Sequence, residues 1–351
     1  MWRILLTLTI VRFSLTAAVN CECVPYYQCK EGHIISNGGG LIDFKMKKSS
    51  RECPNISHVC CKPPQTKSLT SSSCGRKRVM FDLKSFTNRE AEFGEFPWMV
   101  LILTKELSGV DNNSPNYYTC GGSLIHKRAV LTAAHCVIGK EPDKLQIRVG
   151  EWNIETSTEE IPHQDRNVQS VIVHDKFSSV TLRNDFAILI LSEPVNLADH
   201  VDVICLPERN TVFDGSQCFA TGWGKDIFGK EGQYQVILKK IELPVVPRDR
   251  CQDRLRTTRL GKYFILDESF ICAGGEANKD TCTGDGGSPL VCPSKNDPAI
   301  YMQAGIVAWG IGCGQDKIPS VYANVALARD WIDEQMAFNN LDNTVYQPPT
   351  D

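Results

Sequence analysis

An all-β fold is what this sequence predicts, and three observations carry the prediction. Short β-branched and aromatic runs recur from Glu92 to about Asn339, separated by Gly, Asn and Pro, which reads as the strands and turns of a barrel or sandwich. One terminal stretch switches to helical spacing. The chain also carries 16 cysteines, a count that suits a disulfide framework in an oxidising compartment; the spacings lack the paired C-x-x-C ligands of zinc sites.

The elements follow in order. Residues 1–18 place Arg3 ahead of an apolar run that Arg12 interrupts and Thr16-Ala17-Ala18 closes, the pattern of a secretory signal peptide. No later segment approaches the roughly 18 uninterrupted apolar residues of a membrane span. Residues 21–61 hold Cys21, Cys23, Cys29, Cys53, Cys60 and Cys61, a unit too short to bury an adequate core and therefore dependent on disulfides. Spacing alone leaves every pairing of the six open. Residues 62–90, rich in Pro, Ser, Thr and Lys, read as a linker, with Arg76-Lys77-Arg78 as an exposed basic run and Arg78 as the candidate cleavage site. From 91 to 338 the strand signals are Trp98–Leu103, Ala129–Leu131, Leu145–Val149, Ala187–Leu191 and Ala304–Ala308. The spacing of Val325, Leu327, Ala328, Trp331 and Ile332 predicts a packed amphipathic helix over 325–336. The polar tail, 339–351, reads as unstructured. Asn55 and Asn112 open N-glycosylation sequons, the second weakened by Pro115.

A net charge of -3 gives no footprint for nucleic acid. The basic run Arg248, Arg250, Arg254, Arg256, Arg259 and Lys262 around Cys251 reads first as a solvated helix and second as a face for an acidic partner.

Three islands carry chemistry. They are Cys120-Gly121-Gly122-Ser123 running to Ala133-Ala134-His135-Cys136, then Asn184-Asp185-Phe186-Ala187, then Asp280 through Thr283-Gly284-Asp285-Gly286-Gly287-Ser288-Pro289. In this order they resemble the histidine, aspartate and nucleophile regions of the chymotrypsin-type serine proteases, over about residues 91–338. The resemblance implies a chymotrypsin-like double β-barrel with a C-terminal helix. It also implies the disulfides Cys120–Cys136, Cys218–Cys292, Cys251–Cys272 and Cys282–Cys313, with Cys74–Cys205 tethering the linker. The stretch Cys21-Glu22-Cys23-Val24-Pro25, the run Gly40-Leu41-Ile42-Asp43 and the closing Cys60-Cys61 resemble the arthropod clip domain, which implies Cys21–Cys60, Cys23–Cys53 and Cys29–Cys61.

One departure decides the chemistry. Where the family has its nucleophilic serine this chain has Gly286, which can neither attack a carbonyl nor pass a proton to a histidine. His135 and Asp185 keep their types with nothing to activate, and loss of such a nucleophile costs on the order of a millionfold in kcat. Ser288 lies up to about 7 Å along the chain, so it reads as a structural turn serine. Asp280 falls at the floor of a specificity pocket for basic side chains, but Ala308 replaces a serine before Trp309-Gly310, and Ser320 replaces a pocket glycine. The segment aligned with the family's activation terminus, Leu83-Lys84-Ser85-Phe86, follows Asp82 rather than a basic residue. No cofactor is required. Glu151, Asn153, Glu159 and Glu160 form a candidate calcium loop, because calcium prefers oxygen ligands.

The combination resembles the arthropod clip-domain serine protease homologues, closest to the masquerade-like group of phenoloxidase-activating cofactors. That resemblance implies a non-catalytic protein of the haemolymph, cleaved by an upstream processing protease. Its partners would be prophenoloxidase and a catalytic clip-domain protease, with oligomerisation after cleavage, and its role would be in melanisation and innate immunity. The alternatives are a decoy or negative regulator, a microbial recognition protein, and a residual endopeptidase using Ser288.

Overall fold

The chain divides into two units, residues 1–71 and 72–351. The computed structural model describes residues 22–25, 29–30, 33–34, 53, 58–61, 74–78, 89–105, 116–156, 161–226 and 228–349. Asn55, Asn112, Glu159, Glu160 and the 83–86 segment lie outside them.

In the first unit β1 (Glu22–Pro25) pairs antiparallel with β4 (His58–Cys61), setting Cys23 opposite Cys60, and β2 (Cys29–Lys30) pairs with β3 (His33–Ile34). Cys23 is bridged to Cys53. Cys60 and Cys61 are also disulfide-bonded; their implied partners, Cys21 and the Cys29 side chain, lie outside the described residues.

The second unit holds two closed antiparallel barrels. The first is built from β5 (Met99–Lys105), β6 (Asn116–His126), β7 (Ala129–Thr132), β8 (Leu145–Val149), β9 (Gln164–Val173) and β10 (Ala187–Leu191), joined in the order β10-β7-β6-β5-β8-β9. Their residues explain their placement. In β8, Leu145, Ile147 and Val149 are buried while Gln146 and Arg148 face outward, the alternation of a strand with one wet face. Every residue of β10 is buried, as its unbroken apolar run requires.

The second barrel comprises β11 (Gln217–Gly222), β12 (Lys239–Val246), β13 (Phe270–Gly274), β14 (Pro289–Pro293), β15 (Tyr301–Trp309) and β16 (Pro319–Asn324), in the order β11-β12-β13-β16-β15-β14. Disulfides Cys120–Cys136, Cys218–Cys292, Cys251–Cys272, Cys282–Cys313 and Cys74–Cys205 staple this unit. The terminal helix α3 (Val325–Phe338) follows β16 and buries Val325, Ala328, Ile332 and Met336 in one core cluster with β5, β7 and β10. A stripe at i, i+3, i+7 and i+11 meets one face of a helix, so α3 ties the second barrel to the first. No described helix is long and apolar enough to cross a membrane.

Two regions differ from the sequence reading. The tail is ordered through residue 349. Tyr346, fully buried, donates its hydroxyl to Asp333 at 2.6 Å, stacks under the Arg329 guanidinium and accepts the Leu206 N–H through its carbonyl. One aromatic residue anchors a segment whose average polarity suggested none.

In the basic run 76–78, Arg76 is exposed as expected, while Lys77 and Arg78 are docked. After the Cys74–Cys205 bridge, Gly75 donates to Val203 O at 2.8 Å and accepts from Tyr301 N at 2.7 Å. Its φ is 72°, and a Cβ there would sit 2.1 Å from Tyr301 O, so glycine is obligatory. Lys77 lies over the rings of Phe96, Phe219 and Tyr301 and pairs at 2.7 Å with Glu95, which is 4% exposed. Arg78 is clamped by Asp199 and Asp202. The candidate cleavage residue is therefore part of a strap, held by partners more than a hundred positions downstream.

Candidate functional site

The site forms where the barrels meet. After β7 the chain makes a single helical turn, α1 (Ala134–Val137), which carries His135; the Cys120–Cys136 bridge pins it to β6. Asp185 precedes β10 and is fully buried. Its Oδ2 accepts from His135 Nδ1 at 2.6 Å and its Oδ1 from the His135 backbone N–H at 2.8 Å. These two bonds orient the imidazole and leave Nε2 as its outward nitrogen.

That nitrogen faces Gly286. A Cβ built on Gly286 would lie 3.0 Å from His135 Nε2 and 3.7 Å from Cys120 Sγ, which is where a nucleophile would stand. The loop is fixed around the gap: Gly121 N–H donates to Gly286 O at 2.9 Å, and the Tyr118 hydroxyl to Gly284 O at 2.6 Å. General-base machinery is assembled here against an empty position.

Ser288 takes no part. It is fully buried and its Oγ has no hydrogen-bond partner. It fills room made by a glycine: a Cβ on Gly121 would come within 1.9 Å of that oxygen. A hydroxyl sealed in the barrel interface is a filler, unreachable by a peptide.

Asp285 points inward, accepting from Gly224 N–H at 2.9 Å and Cys282 N–H at 2.8 Å. Burial, with a smaller push from the Asp280 charge, raises its carboxyl from 3.8 to about 6. Beside it is a cavity of about 250 Å³ lined by Asp285, Asp280, Arg89, Lys225, Lys239 and Lys240 among others.

The specificity slot is a separate cavity of about 230 Å³, lined by His135, Gly286, Ala308, Trp309, Gly310 and Ser320 among others. Asp280 does not line it. Its Oδ2 accepts from Gly314 N–H at 3.0 Å, and its Oδ1 is buried without a partner. Burial raises this carboxyl, while hydrogen bonds from Ser320, Gly314 and Thr281 partly offset the rise.

The acidic loop is engaged otherwise. Glu151 is buried, and its carboxylate accepts from Arg148 at 3.2 Å and Trp152 N–H at 3.1 Å and lies 3.0 Å from His163 Nδ1, while Asn153 Oδ1 accepts from Glu155 N–H. A cation at Glu151 would have to displace the Arg148 guanidinium. Among the described residues the one group of three metal-ligand types is Cys120, His135 and Cys136, and both cysteines are consumed by their disulfide. The basic run on α2 (Arg248–Arg256) is partly self-satisfied: Arg248 donates to the carbonyls of Leu266, Asp267 and Phe270, and Arg256 to Phe264 O.

Sequence reasoning missed the lysine cage. Lys77 and Lys240 converge on Glu95 from opposite sides, and no local pattern announces partners separated by 145 positions. The residues Glu95-Phe96-Pro97-Trp98 were visible; their role as a dock was not.

Comparison with known proteins bears on this site. A trypsin family model matches residues 86–332, and a model described as the serine protease Clip domain PPAF-2 matches residues 16–62. Phenoloxidase-activating factor 2 of Galleria mellonella is 51% identical over 81% of this chain and 95% of its own length. An inactive CLIP domain-containing serine protease, A28, of Anopheles gambiae is 39% identical over 84% of this chain and 76% of its own. Protein masquerade of Drosophila melanogaster is 36% identical over 78% of this chain and 24% of its own.

Proposed function

The chain belongs to the trypsin family and carries an N-terminal clip domain, and from that premise we propose that it is a secreted, non-catalytic adaptor of a prophenoloxidase-activating cascade. The observation that carries this reading is Gly286 facing an otherwise assembled His135–Asp185 pair. A barrel pair stapled by disulfides can hold a partner with the precision of a protease and leave it uncut. Relatives named as a phenoloxidase-activating factor and as inactive proteases support the cascade and the loss of chemistry. The partners are prophenoloxidase and a catalytic clip-domain protease, in haemolymph, after processing by an upstream protease.

Reconstitution tests it. Purified prophenoloxidase is mixed with a catalytic clip protease, with and without this protein, and phenoloxidase activity is followed beside a control lacking the protease. The expected result is a large rise only when all three are present. Activity from the control without protease would sink the non-catalytic reading. A fall below the two-component level would replace the adaptor with a decoy.

A further inference from the structure

The slot that remains beside Gly286 has changed its chemistry. In a pocket built for Arg or Lys, a carboxylate closes the far end and takes the cation by a charge-assisted hydrogen bond. Here the cavity of about 230 Å³ stops short of that carboxylate. Asp280 instead lines the neighbouring cavity with Asp285. Ser320, which is 4% exposed, lines the slot where Asp280 does not. Its hydroxyl neighbours the Asp280 carboxyl, which it helps to hold down against burial, and reaches across the slot, so that a Cβ on Gly310 would lie 3.0 Å from Ser320 Oγ. A guanidinium or ammonium entering from the cleft would be desolvated and meet a hydroxyl, not a charge, and burying an unpaired cation costs several kcal/mol.

The other end has gained an unfilled acceptor. His135 Nδ1 is committed to Asp185 at 2.6 Å, which leaves Nε2 facing the space that a serine side chain would fill, the ring's acceptor when Nδ1 carries the proton. Nε2 contacts Cys136 Sγ at 3.6 Å, a disulfide sulfur with no proton to donate. A ligand with its own hydroxyl can supply the missing donor.

We infer that the vacated cleft is a binding site for a neutral, hydroxyl-bearing side chain of a partner peptide, and that Ser320, by screening Asp280, is the residue that sets this choice. No bond is made or broken in the complex: the ligand hydroxyl donates to His135 Nε2 and its carbon body fills the slot against Trp309 and Ala308. The ligand class of the cleft is the same whether the protein promotes or restrains its cascade.

Two small probes separate this site from a basic one, using the full-length protein. Benzyl alcohol should shift the His135 imidazole resonances of the wild type, and benzamidine should not. Ser320→Gly should bind benzamidine about 10- to 100-fold more tightly than the wild type, the scale of one hydrogen bond to a charged group. Adding Asp280→Asn to Ser320→Gly should abolish that gain, which identifies the carboxylate as its source. Ser320→Ala, which removes the hydroxyl alone, should move in the same direction and serves if the glycine variant fails to fold. Benzamidine binding to the wild type as tightly as to the Ser320 variants would show that Asp280 is reachable and overturn the inference. So would His135 resonances that ignore benzyl alcohol.

Discussion

A side chain of zero size governs the residues around it here. With Gly286 in place, His135 and Asp185 keep a catalytic geometry, with bonds of 2.6 and 2.8 Å, and no reaction to run. Restoring the hydroxyl is therefore informative. Gly286→Ser should become labelled at position 286 by a small fluorophosphonate, because its oxygen would stand beside His135 Nε2; the wild type should remain unlabelled, Ser288 included. Peptide mass mapping reads this directly, and a label on Ser288 of the wild type would contradict the filler role. Asp285 gives a second prediction, with its sign set by burial. Its carboxyl is raised from 3.8 to about 6, so its contribution to stability is fully present below about pH 4 and lost as pH rises through 6, worth about 3 kcal/mol. Asp285→Asn should flatten the unfolding midpoint between pH 4 and 6; an unchanged slope would mean that the carboxylate is better solvated than its contacts imply. At this scale the sequence was legible wherever a residue's meaning is its own. A glycine has no nucleophile in any structure. The slot at Ser320 was half legible, since crowding could be read, but the bond of Asp280 to Gly314 N–H and its place in another cavity show only in the fold.

Elements were legible in proportion to their local pattern. The helix expected over 325–336 is α3, and the runs at 145–149 and 187–191 are β8 and β10. What escaped were segments ordered by remote partners. The tail hangs on Tyr346, and Tyr346→Ala should lower stability by about 3–5 kcal/mol, the cost of emptying an aromatic site, measured by chemical denaturation. The strap at 75–78 is held through Glu95. Burial alone would raise the Glu95 carboxyl, but Lys240 and Lys77 more than offset it and hold it below its ordinary 4.5. A lowered carboxyl stabilises above that value and loses its contribution as pH falls. Glu95→Ala leaves two lysines facing a buried gap and should cost about 3–5 kcal/mol. It should also speed tryptic cleavage after Lys77 and Arg78 at neutral pH relative to the wild type. Equal cleavage rates in limited proteolysis would show that the cage does not hold the strap.

For the whole molecule, cysteine count announced a disulfide framework, and the family resemblance of the three islands implied its pairings and the doubled barrel, while the joining of the barrels through α3 was not legible. Helical periodicity says which face is buried, never against what. The Cys74–Cys205 bridge spans 131 positions, joining Cys74 upstream of the 79–88 stretch to Cys205 downstream of it. A cut in that stretch should therefore leave two chains that separate on a gel only after reduction, and Cys74→Ser with Cys205→Ser should release the N-terminal piece without it.

The consequence of that bridge reaches past integrity. A clip domain retained on a short covalent leash meets any shared partner at an effective concentration in the millimolar range. Two weak contacts, one from each unit, then combine as avidity, which can exceed either affinity by about a hundred- to ten-thousandfold with no new contact surface. One sulfur–sulfur bond would thereby decide whether a processed molecule behaves as one bivalent ligand or as two ineffective ones.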